Sequence, residues 1–139
     1  MAGGDLFGIV GSALDAQDAR IGAIASNLAN VDAVTPPGGV PYRAHEMVFE
    51  AAPVAGGADS GDMGVALAGT VESNAPAVQK YEPGNPYADA NGYVTGSNVS
   101  QVDEMVDLID SSNSYAASVA VLQQASRIDQ QMLASFQVS

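Results

Sequence analysis

About 40 residues, from Val99 to the last, pass without a single glycine or proline. A run that long predicts one continuous helix, longer than an ordinary globular one. It opens on Ser100-Gln101-Val102-Asp103, a capping-box pattern, and Asp103, Glu104 and Asp107 suit the positive end of a helix dipole. Val102, Met105, Val106, Ile109, Ala116, Val119, Leu122, Ala125, Ile128, Met132 and Phe136 mark an apolar stripe that drifts slowly around the axis. The other end of the chain carries a counterpart, from about Leu6 to Asn30. There Phe7, Val10, Leu14, Gln17, Ile21, Ile24 and Leu28 alternate by three and four, a heptad seam with one polar member. Asp5, Asp15, Asp18 and Arg20 lie off the seam, while Gly11, Ala13, Ala16, Ala19, Gly22 and Ala23 would let a second helix approach closely. Gly8, Gly11 and Gly22 each cost about 1 kcal/mol of helix propensity. Such a helix orders only when its seam is covered. Two seamed helices in one chain predict an antiparallel pair, with outer faces left for other subunits.

Between the seams the character changes. Thr35-Pro36-Pro37-Gly38-Gly39 cannot continue a helix. Tyr42 to Glu50 favours an extended strand, with Tyr42, Ala44, Glu46, Val48 and Glu50 on one face and Arg43, His45, Met47 and Phe49 on the other. Ala55 to Gly64, rich in Gly, Ala, Asp and Ser, reads as a mobile loop. Val65, Leu67, Gly69 and Val71 mark a second strand and Val78 to Glu82 a third, ending at Pro83-Gly84, which suits a type II turn. Asn91-Gly92 is a hairpin signal. The expected fold is α+β, mainly α: paired, coiled-coil-like terminal helices with a small, loop-rich β module of three or four short strands inserted between them. The expected division is 1–30, 31–97 and 98–139.

Composition bounds the function. Of 139 residues 47% are apolar but only 6% aromatic, and 24 are alanine, so summed burial is thin for a self-sufficient globule. Such a chain draws part of its stability from neighbours. Four basic against 16 acidic residues, a net charge of −12, disfavour nucleic acid and an anionic membrane surface alike. No cysteine is present for disulfide or thiolate chemistry. No apolar stretch approaches the length of a membrane span, and Met1-Ala2-Gly3-Gly4-Asp5 lacks the basic start and apolar core of a cleaved signal peptide.

A search for catalytic chemistry finds little. His45 is the only histidine, so no two-histidine metal site forms within one chain, and it reads as a solvent-facing strand residue. Asp89-Ala90-Asn91-Gly92 matches the middle of a calcium loop, yet Tyr87 and Asn98 stand where the first and twelfth ligands belong, so a plain hairpin turn is expected. Asp59 and Asp62 read as solubilising charges. Glu104, Asp107 and Asp110 form an acidic helix face, either merely solvated or meeting a basic partner. Ser111-Ser112-Asn113-Ser114 reads as small residues permitting close helix packing. No catalytic, metal-binding or cofactor-binding residue is assigned, and the chain is read as not an enzyme.

Two stretches carry a family resemblance. Ala25-Ser26-Asn27-Leu28-Ala29-Asn30-Val31-Asp32-Ala33-Val34-Thr35, closing in Pro41-Tyr42-Arg43-Ala44, resembles the N-terminal signature of bacterial flagellar rod and hook axial proteins. In that family a helix ending in S-N-(I/L)-A-N leads into a Gly- and Pro-bearing loop and an aromatic-basic pair. Tyr81 to Val94 is similar to a mid-chain signature of a rod member, and Glu104-Met105-Val106-Asp107-Leu108-Ile109 to the start of its C-terminal helix. Ser97-Asn98-Val99 departs from the usual P-N-V. Asn113, Tyr115, Ala117 and Ser118 stand where members carry an arginine and an aromatic followed by x-A-N.

The resemblance implies a structural subunit of the flagellar basal-body rod. Its terminal helices would form the core of a hollow helical tube that transmits torque and passes exported subunits. The implied partners are copies of itself, other proximal and distal rod proteins, basal adaptor and membrane-ring proteins, and the type III export apparatus. The implied location is the rod in the periplasmic space, reached without a cleaved signal peptide. Interface residues expected on this reading are Phe7, Val10, Leu14, Ile21, Ile24, Leu28, Tyr115, Val119, Leu122, Met132 and Phe136, with the loop-entry set Asn27, Asn30, Thr35, Tyr42 and Arg43. Asn27 and Asn30 either cap the helix end and bond neighbouring backbone or simply terminate the helix. A free rod subunit should have largely unfolded termini that order on assembly. The rival readings are an acidic module for a basic protein partner, expected to be a compact monomer, and a metal-dependent enzyme.

Overall fold

A computed structural model describes residues 2–54 and 61–137, with side chains from residue 6 onward. The element order is α1 (Ala2–Ala29), β1 (His45–Pro53), β2 (Met63–Glu72), β3 (Gln79–Tyr81), β4 (Tyr93–Thr95) and α2 (Gln101–Gln137). Two helices flank a small strand-containing module, as expected for an α+β chain that is mainly α. Ser100 caps α2: its carbonyl takes the Glu104 N–H at 3.0 Å and its Oγ faces the Asp103 N–H at 3.5 Å. At the end of α1 the Asn30 Nδ2 turns back onto the Ser26 carbonyl at 2.8 Å and so caps its own helix.

β1 pairs with β2, and β3 pairs antiparallel with β4, Lys80 opposite Val94. Along β1 the alternation is as the sequence predicts: His45, Met47 and Phe49 are half-buried and Glu46, Val48 and Glu50 exposed. The loop expected over Ala55 to Gly64, Asp59 included, lies mostly outside the described residues; its last two residues, Met63 and Gly64, belong instead to β2.

Two turns differ from their sequence reading. The Asn85 N–H donates to the Glu82 carbonyl at 3.0 Å across Pro83-Gly84, but Gly84 is not among the positive-φ glycines. The turn is therefore not type II, which requires positive φ at that glycine. At Asn91-Gly92 only Gly92 is left-handed, with φ +85°. The Gly92 N–H closes a turn onto the Asp89 carbonyl at 3.0 Å, and the Asp89 N–H reaches the Tyr93 carbonyl at 2.8 Å. This is a local turn ending in a left-handed glycine, inside the longer loop that joins β3 to β4. The Asp89 carboxylate accepts the N–H groups of Asn91 and Tyr93, at 2.8 and 2.9 Å, and is thereby committed to the turn.

The described residues fall into two compact units, 1–19 with 48–69 and 110–139, and 20–47 with 70–109. In the second, Arg20 pairs with Asp107 at 3.6 Å and Asn27 meets Glu104 at 3.1 Å. Numbers rise along α1 as they fall along α2, so the helices run antiparallel there. The Thr35 N–H bonds the Thr95 carbonyl at 2.9 Å, tying the loop after α1 to β4, and Val94 is fully buried behind that bridge. In the first unit, the Ser12 Oγ on α1 accepts the Val65 N–H at 3.1 Å, which seats β2 on the helix. Among the described residues the buried apolar side chains are Val10, Ala23, Ile24, Ala44, Val94, Val99 and Ala125, none of them aromatic.

The C-terminal stripe does not form one covered face. Val119, Leu122 and Ala125 turn inward, but Val102, Met105, Val106, Ile109, Ile128, Met132 and Phe136 are exposed. Of the serine run, Ser111 is completely buried, Ser114 is half-buried, and Ser112 and Asn113 are exposed.

Candidate subunit interface and the polar junction behind it

The α1 seam is turned into the subunit. Val10 and Ile24 are buried, and Phe7, Leu14, Ile21 and Leu28 are half-buried. Val119 and Leu122 on α2 are likewise half-buried. Of the expected interface residues, Arg43, Tyr115, Met132 and Phe136 remain exposed. A further apolar group was legible in the stripe but was not singled out: Val102, Met105, Val106 and Ile109, at spacings of three, one and three, all at least half exposed. They lie on the side of α2 away from Leu108 and Ser111. Four large apolar side chains adjacent on one helix are more than the scattered exposed residues of an ordinary surface. Near the other end of α2, Ile128, Gln131, Met132, Ser135 and Phe136 line a shallow depression along this one helix. Arg43 reaches the Asn74 Oδ1 at 3.5 Å, Asn113 is exposed, and Ser118 is half-buried.

The loop-entry set has a different place. Asn27, 1% exposed, uses its whole side-chain amide within the subunit. Its Nδ2 donates to the His45 carbonyl at 3.0 Å and to Glu104 Oε1 at 3.1 Å; its Oδ1 accepts the His45 N–H at 2.8 Å and the Tyr42 hydroxyl at 3.0 Å. Two donors and two acceptors are the full capacity of an amide. Asn27 is therefore neither a helix cap nor merely a terminating residue. It is a four-bond bracket between α1, the strand entry and α2. Tyr42 has one hydroxyl proton, given to Asn27, so the contact from its oxygen to His45 Nδ1, at 3.0 Å, is donated by the histidine. The His45 ring stands edge-on to Tyr42 at 5.3 Å, and its Nε2 lies 3.7 Å from Glu72 Oε1, an ion pair when the ring is protonated. His45 is thus part of a junction rather than a solvent-facing strand residue. Thr35 is buried at its bridge to Thr95.

Glu104 belongs to the same junction. Burial pushes its carboxyl pKa upward; the hydrogen bond from Asn27 opposes this, and the nearby charges of Asp107, Glu46 and Asp103 add to it. The acidic face is therefore not uniformly solvated: Asp107 pairs with Arg20 and Glu104 is held by Asn27. Two residues at the departure from P-N-V are also structural. Ser97 Oγ donates to the Val31 carbonyl at 2.8 Å, and Asn98 accepts the Ala44 N–H at 2.7 Å while donating to the Ser73 and Ala75 carbonyls at 3.1 and 2.9 Å. Among the described residues no cluster of His, Asp or Glu is arranged to hold a metal ion, and no helix is long and apolar enough to cross a membrane.

Comparison with known proteins matches both helical ends. Residues 9–36 match the family described as flagella basal body rod protein, and residues 90–135 the C-terminal family of flagellar basal body rod FlgEFG proteins. The chain is 51% identical to the flagellar basal-body rod protein FlgC of Salmonella typhimurium over 118 residues, 85% of this chain and 86% of the relative. It is 48% identical to FlgC of Yersinia enterocolitica over the same shares of the two chains, and 32% identical to FlgC of Borreliella burgdorferi over 93% of this chain and 94% of that one. The bracket, the rod-type signatures around it and identity at this level along most of the chain lead to one assignment: the chain belongs to the FlgC family of flagellar basal-body rod proteins.

Proposed function

We propose that this chain is a structural subunit of the proximal rod, joined to its neighbours through the outward faces of its terminal helices. The observation that carries this reading is the bulky apolar side of α2, where Val102 is 70% and Ile109 63% exposed. An exposed apolar row on a helix is stabilised by burial against another surface. Repeated heterologous contacts that do not close into a ring build a helical filament. In this reading residues 1–30 and 98–139 form the inner wall of a hollow tube and residues 31–97 its outer layer. Torque passes through many interlocked helices, and exported subunits pass down the centre. The neighbours are copies of the chain, other proximal and distal rod proteins, and the adaptor at the membrane ring. The rod stands in the periplasmic space and its subunits arrive by the flagellar type III route.

Val102, Met105, Val106, Ile109, Tyr115, Met132 and Arg43 are the contact residues of this reading. The seam residues Phe7, Val10, Leu14, Ile21, Ile24, Leu28, Val119 and Leu122 act behind them by holding the helix pair. Deletion of the gene in its source bacterium, with electron microscopy of isolated basal bodies and a swimming assay, tests the assignment. Basal bodies arrested at the membrane ring, with motility restored by re-expression, are the expected result; complete rods and normal swimming in the deletion strain would refute it.

A further inference from the structure

Polar groups are satisfied unequally in the two units of the chain. In the unit of residues 20–47 and 70–109, buried Asn27 completes all four of its bonds, Asn98 joins three backbone groups, and Ser97 is bonded to Val31. In the unit of residues 1–19, 48–69 and 110–139, Gln17 Oε1 and Ser111 Oγ are buried with no hydrogen-bond partner. A buried polar atom without a partner opposes folding, whereas a fully paired network in a low-dielectric site rigidifies what it joins.

We propose that Asn27 is a latch that keeps the unit of residues 20–47 and 70–109 ordered in the unassembled chain. The chemistry of the latch is specific. Its contacts to His45 and Glu104 lie 18 and 77 residues away in sequence, so one side chain closes three segments at once. Only an amide presents two donors and two acceptors in this geometry. An aspartate at the same position keeps the bonds from the His45 N–H and the Tyr42 hydroxyl. It also sets a carboxylate oxygen against the His45 carbonyl and the Glu104 carboxylate. A glutamine at position 104 would turn a donor toward that aspartate and restore one of the two lost bonds in reverse.

Amide hydrogen exchange of the full-length, unassembled chain tests this. The wild type should show slow exchange along the last third of α1, at 43–47 and along the first two turns of α2. Asn27→Asp should accelerate the three protected segments together, by about a hundredfold. Glu104→Gln alone should change them by less than about threefold, and the combination Asn27→Asp with Glu104→Gln should recover about tenfold. No protection around Asn27, a loss confined to α1, or a double variant no better than Asn27→Asp would each overturn the proposal. None of these results bears on the rod assignment, which the basal bodies of the deletion strain decide.

Discussion

Substituting alanine at Gly92 and, separately, at Gly84 puts one methyl group into two turns of the same hairpin loop with opposite expected effects. Gly92 has φ +85°, and a Cβ there would stand 2.9 Å from the Tyr81 ring and 3.2 Å from the Pro83 side chain. The left-handed backbone costs alanine about 1–2 kcal/mol, and displacing the ring edge adds about 1 kcal/mol. Gly84 is not left-handed, and a Cβ there meets nothing within 4 Å. Alanine at that site should stabilise by about 0.5 kcal/mol through the less flexible unfolded chain. The two variants should differ by about 3 kcal/mol. With a urea slope of about 1–3 kcal/mol per molar, their midpoints should lie about 1–3 M apart. Near-ultraviolet tyrosine circular dichroism during urea titration is the assay, because Tyr81 and Tyr93 stand edge to face at 5.3 Å across this turn. The sequence patterns Pro83-Gly84 and Asn91-Gly92 suggest positive φ at both glycines; the structure gives it to Gly92 and not to Gly84. Coincident midpoints, or a larger loss at Gly84, would refute the structural reasoning.

Two further outcomes follow from the junction and the outer face. Because burial raises the Glu104 pKa, the folded chain holds that proton more tightly than the unfolded one, so this residue's contribution to stability falls as pH rises from its ordinary value through the raised one. Glu104→Gln should flatten that part of the stability profile, leaving the variant as stable as the wild type or slightly more so at neutral pH, as thermal melts across pH would show. Glutamate at both Val106 and Ile109 should leave exchange protection around Asn27 unchanged yet fail to restore motility in a deletion strain; full restoration would remove the α2 outer face from the assembly contacts.

Much of the architecture was legible from local pattern alone. The glycine- and proline-free run from Val99 and the alternation of three and four from Phe7 to Leu28 placed both helices, because helix formation depends on neighbours one turn away. The alternation from His45 to Phe49 placed β1 and its faces for the same kind of reason, since strand side chains alternate with a period of two. The signatures around Asn27 and Tyr81 marked the family before any contact was known. What the pattern could not carry was partnership. Periodicity identifies a stripe on α2 but not which of its sides is covered: Ser111 is buried, while Val102 and Ile109 are left outside. The positive φ that Pro83-Gly84 suggests is absent from Gly84 and present at Gly92, and His45 was drawn from solvent into a junction by Tyr42 and Glu72. Asn27 makes the division plainest: its residue type was visible in the motif, but its bonds reach 18 and 77 residues along the chain. Local sequence specifies short-range backbone preference and spacing; hydrogen bonds between distant segments exist only once the chain has folded to bring those segments together.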